Sequence, residues 1–304
     1  MSTILIIGTF FFSYHLHLCL FCCNIVLMRT IKALDIEKRL VETITRACTI
    51  LPKDVKDAIS QAQSKEESQR AKFAMDVLLQ NAEIAEKDSV PICQDTGMAV
   101  FFVEIGQDVH IEGSLSNAIN NAVFKAYSNG LRSSVLDPLS RENTKGNTPA
   151  IIHYNIVDGE GLKIEFLPKG FGAENMTKLY MLLPSVGKKG VIDAVVDAAK
   201  SAGACPCPPY VVGVGIGGTP EKAIEMAKHG LLREIGSINQ DKELNELEGQ
   251  IKARINELGI GASGFGGKIT ALAVHIEKYP THIAGLPVAV NFGCNAMRKE
   301  EVVF

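Results

Sequence analysis

The sequence lacks the two Cys-x-x-Cys pairs of a structural zinc site, and it lacks the compact four-cysteine run of a ferredoxin. Any metal it binds must be held by ligands that converge from distant segments. It also lacks a charge excess: 31 basic side chains stand against 34 acidic ones along the whole length, a formal net charge of -3. A nucleic-acid partner calls for a concentrated basic face, so none is expected. A small anion would be gripped by a few local cations and backbone N–H groups. No repeat, low-complexity stretch or proline-rich linker interrupts the 304 residues. That excludes a solenoid, and 46% hydrophobic residues can build one sizeable core.

Eight cysteines are present, at positions 19, 22, 23, 48, 93, 205, 207 and 294. They are irregularly spaced in a chain too long and too apolar to need disulfide staples, so a reduced, cytoplasmic protein is expected. Residues 4–27 are nearly all apolar or aromatic and on length alone would span a bilayer. A secretory signal needs a basic n-region and a small-residue cleavage site, and both are missing. We read residues 1–27 as an apolar extension, a mis-assigned start or a segment without function, ahead of a catalytic domain over 28–304. A membrane anchor is the alternative reading of the extension, and no membrane association is expected of the domain.

Apolar residues recur at helical spacing from 30 to about 87, as in Ile36, Leu40, Val41 and Ile44, then Ala71, Phe73, Ala74, Val77 and Leu78. Short β-rich runs bounded by turn residues follow at 98–105, 151–156 and 162–167, with a helix over 115–129 between the first two. The pattern then predicts helices over 178–183, 191–201, 219–232 and 241–258, and strands over 210–215, 269–276 and 286–292. Thr219 before Pro220 reads as a cap residue ahead of a first-turn proline. The fold class is mixed α/β: a helical N-terminal layer, then a mixed sheet with flanking helices.

Glycine-rich segments mark where a ligand could come close to backbone N–H groups. Gly213, Gly215 and Gly218 spell the dinucleotide fingerprint G-x-G-x-x-G. The text after the next helix, REIGSINQDKELNE, is polar where a nucleotide unit needs a buried strand ending in an acid. Three cysteines sit at chain turns: Cys93 in VPICQDTG, Cys207 in CPCPPY and Cys294 in NFGCNAMR. Pro208 and Pro209 stiffen the backbone after Cys207, and Gly293 lets the chain approach a bulky group beside Cys294. A free cysteine is more often a buried structural residue, and the spacing of these three says nothing by itself.

The strings ICQDTG, LRSS, PKGFGAENMTKL, CPPYVVGVGIGGTPEKA, GGKITALAVHIEKYPTHIAGLPVAV and NFGCNAMR occur in that order between about residues 31 and 298. Together they resemble the N-terminal catalytic region of class I fumarases and the α subunit of L-tartrate dehydratase. The resemblance implies an oxygen-sensitive hydro-lyase in which three cysteines hold a [4Fe-4S] cluster with one iron free of protein ligands. On this chain those positions are Cys93, Cys207 and Cys294; the Cys-Pro-Pro match favours Cys207 over Cys205. It further implies substrate binding by Gln94, Arg132 and the backbone of Gly172, with catalytic roles for Asp95 and His282 and Lys169 near the site. Without it, Asp95 before Thr-Gly would read as a turn carboxylate. Arg141 competes with Arg132 but reads as a solvated surface residue, and His110, His153, His229 and His275 read as structural.

Members of this family carry a further region that supplies the catalytic base, another arginine and a lysine, so the resemblance implies a separate β subunit as partner. The implied reaction is reversible hydration of fumarate to malate, with L(+)-tartrate dehydration as the alternative. The rival classes are a non-catalytic iron–sulfur sensing module and a nucleotide-binding oxidoreductase. Replacing Cys93, Cys207 or Cys294 with serine is expected to abolish bound iron and sulfide in anaerobically purified protein, and Cys205→Ser to preserve it. Loss with Cys205→Ser and retention with Cys207→Ser would overturn the assignment.

Overall fold

The computed structural model describes residues 29–304, so the readings for residues 1–27, including Cys19, Cys22 and Cys23, lie outside the described residues. Strand β1 (Arg29–Lys32) pairs in parallel with β3 (Val109–Glu112). Helix α1 (Ala33–Thr49) buries Ile36, Leu40, Ile44 and Ala47, one apolar stripe at three- and four-residue spacing. It packs on α4 (Leu115–Tyr127), which buries Ile119, Ala122, Val123 and Ala126 and starts where the Ser114 hydroxyl accepts the Asn117 N–H. Helices α2 (Lys53–Lys65) and α3 (Gln69–Asp88) complete the helical N-terminal layer.

A first four-stranded sheet runs in the order β10-β5-β2-β4. Its centre is β2 (Met98–Gly106), paired antiparallel with β5 (Leu162–Lys169) and parallel with β4 (Ile151–Val157). Strand β10 (Glu300–Val303) joins β5 antiparallel. Alternation in β2 splits its side chains: Ala99, Phe101 and Val103 face α1 and α4, while Val100 and Phe102 join a core with α2 and α3. That second core also takes in Val211, Leu272, Ala273 and Met297 from the other sheet, so one apolar cluster binds the two sheets together.

The second sheet has the order β6-β9-β7-β8. Here β7 (Tyr210–Gly217) is parallel to β8 (Ala271–Tyr279) and antiparallel to β9 (Leu286–Gly293), which pairs antiparallel with β6 (Lys178–Leu182). Helices α6 (Gly187–Ala202) and α8 (Lys242–Asn256) cover one face. Helix α7 (Pro220–His229) covers the other through Ala223 and Ala227. A one-turn helix, α5 (Phe171–Glu174), lies between β5 and β6.

The mixed α/β class holds, with the strands divided between two four-stranded sheets and the β1–β3 pair. Residues 178–182 form a strand where the sequence pattern predicts a helix. Five residues are too few to separate the two periods, and the edge position on β9 leaves Leu179 and Met181 exposed. The pattern also misses β1, β3 and β10, each four residues long.

The glycine run has a packing role. A Cβ on Gly213 would lie 1.9 Å from the Ala227 carbonyl oxygen, and one on Gly215 would lie 2.0 Å from that of Ala223. Both glycines let α7 rest directly on β7, and this accounts for the fingerprint without a nucleotide. Gly215→Ala is therefore expected to destabilise the fold by about 1–3 kcal/mol in urea unfolding, the usual effect of overpacking. An unchanged midpoint would mean that the helix does not sit on the strand.

Candidate active site at the junction of the two sheets

Strand direction gathers the three thiols. Cys93 and Asp95 precede β2, whose first residue Met98 pairs with Lys169 at the end of β5. Residues 93–97 and 169–172 thus leave the first sheet at one edge. Cys207 precedes β7, and Val211 of that strand pairs with Gly293 at the end of β9, so Cys207 and Cys294 share an edge of the second sheet. Residues 294–299 then cross to β10 in the first sheet.

Hydrogen bonds fix this crossing. The Asn295 N–H donates to the Cys207 carbonyl at 3.0 Å, and Asn295 Nδ2 donates to the Pro208 carbonyl at 3.3 Å. Arg298 Nη2 donates to the Asp95 carbonyl at 2.7 Å. All three thiol segments are thereby tied to one stretch of chain. Cys207 has φ 55°, a left-handed conformation that a non-glycine residue adopts only where its surroundings impose it.

The thiols sense one another. Partial burial pushes the Cys207 thiol up, and Cys294, Cys93, Cys205 and Asp95 push it further in the same direction. Burial also raises Cys294, opposed by Arg298, the Ala296 N–H and Lys169, while Cys93 adds to the rise. Every described cysteine is free of disulfides. Among the described residues no three His, Cys, Asp or Glu side chains close on a single ion. A mononuclear site needs its sulfur donors about 2.3 Å from one centre. An iron–sulfur cluster is held by thiolates, and the donor set at this junction, Cys93, Cys207 and Cys294, is all thiol. Cys205 and Cys207 are both exposed, and the Cys205 carbonyl lies against Gly172, 3.4 Å from where a Cβ would stand.

Asp95 organises the neighbouring loop. Its Oδ1 accepts the Gly97 N–H at 3.0 Å, and its Oδ2 accepts the Phe171 N–H at 2.8 Å. The turn-carboxylate role is real, and it clamps the Gly170–Gly172 loop beside Cys93, whose sulfur accepts the Asp95 N–H at 3.4 Å. Gly172 follows in the first turn of α5.

Arg132 is exposed, but its backbone is pinned: its N–H donates to Thr96 Oγ1 at 2.8 Å and its carbonyl accepts from Asn147 Nδ2 at 3.3 Å. Its side chain borders two adjoining clefts. One, of about 550 Å³, is lined by Cys93 and Gln94. The other, of about 680 Å³, is lined by Asp95, Phe171 and Asn147. Arg141, read from the sequence as a surface residue, also lines the larger cleft.

His282 lies elsewhere. It is exposed in the turn before β9, where its Nδ1 accepts the Ala284 N–H at 3.2 Å. Cys294 follows the other end of that eight-residue strand, and a strand rises about 3.3 Å per residue. Within one chain His282 therefore stands roughly 26 Å from the thiol junction. The fold gathers Cys93, Gln94, Asp95, Arg132, Gly172, Cys207 and Cys294, and leaves His282 apart.

Lys169, which the resemblance puts near the site, shares an ion cluster there with half-buried Glu174 and Lys228, which the sequence did not mark. Lys169 is 3% exposed and pairs with Glu174 at 3.1 Å. Glu174 also receives Lys228 at 2.6 Å and Asn291 Nδ2 at 3.0 Å. Burial works to raise the Glu174 pKa, but Lys169 and Lys228 prevail and bring it down to about 2. Burial lowers the pKa of Lys169, with Glu174 opposing. A separate cavity of about 300 Å³, lined by His153, Glu165, His229 and Glu277, contains none of the thiols.

The chain matches the fumarate hydratase (Fumerase) family over residues 37–303. It is 42% identical over 267 residues to a protein of Methanocaldococcus jannaschii whose name assigns it provisionally as L(+)-tartrate dehydratase subunit alpha, covering 85% of this chain and 94% of that one. It is 32% identical over 256 residues to the L(+)-tartrate dehydratase subunit alpha of Escherichia coli K12, covering 83% of this chain and 84% of that one.

The Glu174 ion cluster has a pH signature. Its folded pKa is depressed, so its contribution to stability is complete above the ordinary carboxylate range and lost as pH falls toward about 2. The difference in urea stability between the protein and Glu174→Gln is expected to shrink steadily below about pH 5. A difference that stays constant down to the acid limit would show that the ionised carboxylate contributes nothing.

Proposed function

The chain belongs to the fumarate hydratase (Fumerase) family, and from that premise we propose that it is the α subunit of an iron–sulfur hydro-lyase acting with a separate β subunit. The observation that carries this reading is the convergence of Cys93, Cys207 and Cys294 beside Asp95 and Arg132. Cys93, Cys207 and Cys294 are the ligands of a [4Fe-4S] cluster, which when bound supplies a Lewis-acidic iron that lowers the pKa of a substrate hydroxyl.

The chain's own residues bind and orient a small dicarboxylate. Arg132, at the border of both clefts, pairs with one carboxylate through its planar fork. Gln94, on the Cys93 side, donates to the substrate, and the Gly172 N–H receives the second carboxylate. Asp95 keeps the Gly172 loop and the Cys93 segment in register. The β subunit takes the proton from carbon. His282 has a catalytic part only at a site completed by another chain, because its own lies at the far end of β9.

Fumarate hydration to malate is the default activity, and the names of the relatives favour L(+)-tartrate dehydration as the second reading. The two substrates differ by one hydroxyl, which one or two side chains discriminate. Arg141, lining the larger cleft, is placed to be one of them. The free thiols among the described residues accord with a cytoplasmic enzyme, and no helix among those residues is long and apolar enough to cross a membrane.

Anaerobic co-expression with the β subunit, followed by iron and sulfide assay and turnover on fumarate, malate and tartrate, tests the proposal. Bound cluster with turnover on one of these is expected, and neither cluster nor turnover would overturn it. Arg132→Met should lower kcat/KM by at least about a hundredfold, the loss of two charge-assisted hydrogen bonds, with iron content unchanged. An unaltered kcat/KM would remove Arg132 from the carboxylate site.

A further inference from the structure

Arg298 is 2% exposed, and its Nε and Nη1 are buried without a hydrogen-bond partner. Its single hydrogen bond is the one from Nη2 to the Asp95 carbonyl. No carboxylate lies within ion-pair distance of it among the described residues, although the adjacent Lys299 is matched to Asp54 at 2.8 Å. Lys169, the other buried cation here, has Glu174. A guanidinium never gives up its charge in a protein, and leaving one buried and unmatched is strongly destabilising. Two idle donors on a buried cation point to a missing anion.

The surroundings of Arg298 narrow what that anion is. Cys294 is four residues earlier on the crossing segment, and Asp95, whose carbonyl Arg298 holds, is two residues after Cys93. Arg298, Lys169, Gly170 and Cys294 line one small crevice of about 10 Å³, too small for an organic anion to enter. Cys48 and Tyr127 are the other ionisable groups that feel its charge. Both are neutral: burial pushes the Cys48 thiol up to about 11 and the Tyr127 hydroxyl well above its usual value. The Asp95 carboxylate belongs to the same turn, but it is committed to the Gly97 and Phe171 N–H groups and forms no ion pair with the guanidinium, which leaves the thiolate set as the anionic group without a matched cation.

We propose that Arg298 is the built-in counter-ion of the cluster, its fixed positive charge and two free N–H donors offsetting the negative charge that three thiolates bring to the junction. This rests on the iron–sulfur reading above. Arg298 is a positioning residue: it touches no substrate, and acts by making the buried site tolerate an anionic group while anchoring the Asp95 turn. Removing the charge weakens retention of the cluster and favours its oxidised form.

The test uses the anaerobically purified complex with the β subunit. Arg298→Gln keeps an N–H for the Asp95 carbonyl and removes the charge; Arg298→Lys keeps the charge and gives up the fork. The readouts are iron and sulfide per chain, the rate of iron loss to a chelator, and the midpoint potential of the cluster. Arg298→Gln is expected to lose iron at least about tenfold faster and to titrate at a lower potential, with Arg298→Lys close to the unsubstituted protein. Lys299→Gln removes an equal charge next door and should leave all three readouts unchanged. The proposal is overturned if Arg298→Gln matches the unsubstituted protein, or if Arg298→Lys falls as far as Arg298→Gln. Should the glutamine chain not fold, Arg298→Lys alone decides, by keeping or losing the original potential. Absence of iron and sulfide from the unsubstituted complex would instead sink the iron–sulfur reading.

Discussion

Residues 294–299 cross between two sheets, and two hydrogen bonds from this crossing, Asn295 N–H to the Cys207 carbonyl and Arg298 Nη2 to the Asp95 carbonyl, join three segments remote in sequence. The geometry of the thiols depends on them. Cys93 is set by the edge of the first sheet and Cys207 by that of the second, and the crossing ties the two edges directly to each other. Side chains held by backbone hydrogen bonds at strand ends stay where they are put, which is what a site with exacting geometry needs. The apolar cluster shared by α2, α3 and both sheets supplies the rigidity behind them.

Much of this was legible in the sequence, for reasons that can be named. The stripe of Ile36, Leu40 and Ile44 and the alternation in 98–105 are periodic signals, and both gave the right element. The junction was legible because Cys93, Asp95, Arg132, Gly172, Cys207 and Cys294 each sit in a string with family resemblance, and the fold brings those six together. What stayed hidden has no local signature. Residues 178–182 become a strand because β9 offers an edge, a fact of tertiary structure. The remoteness of His282 follows from which end of β9 it occupies, and string similarity carries no distance. Arg298 looks like an ordinary charged residue until its burial reveals it, and Glu174 until its two lysine partners do.

The site is cationic at its back and open at its front. Lys169, Lys228 and Arg298 stand behind or beneath the thiols, and their single shared acid, Glu174, holds the two lysines and leaves the arginine unmatched. Arg132 and Arg141 border the open clefts. A chain with a net charge of -3 thus concentrates positive charge where anionic ligands belong, and the focusing is local enough that overall composition gives no hint of it.

The crossing segment also carries a consequence for biogenesis. Cys93 and Cys207 leave the ribosome long before Cys294, and Cys294 arrives on the same stretch that delivers β10 to the first sheet. A nascent chain therefore holds two of the thiols without the third, and the third becomes available only as the sheets lock together. Under the proposed iron–sulfur reading, a complete ligand set therefore exists only once translation has passed that stretch.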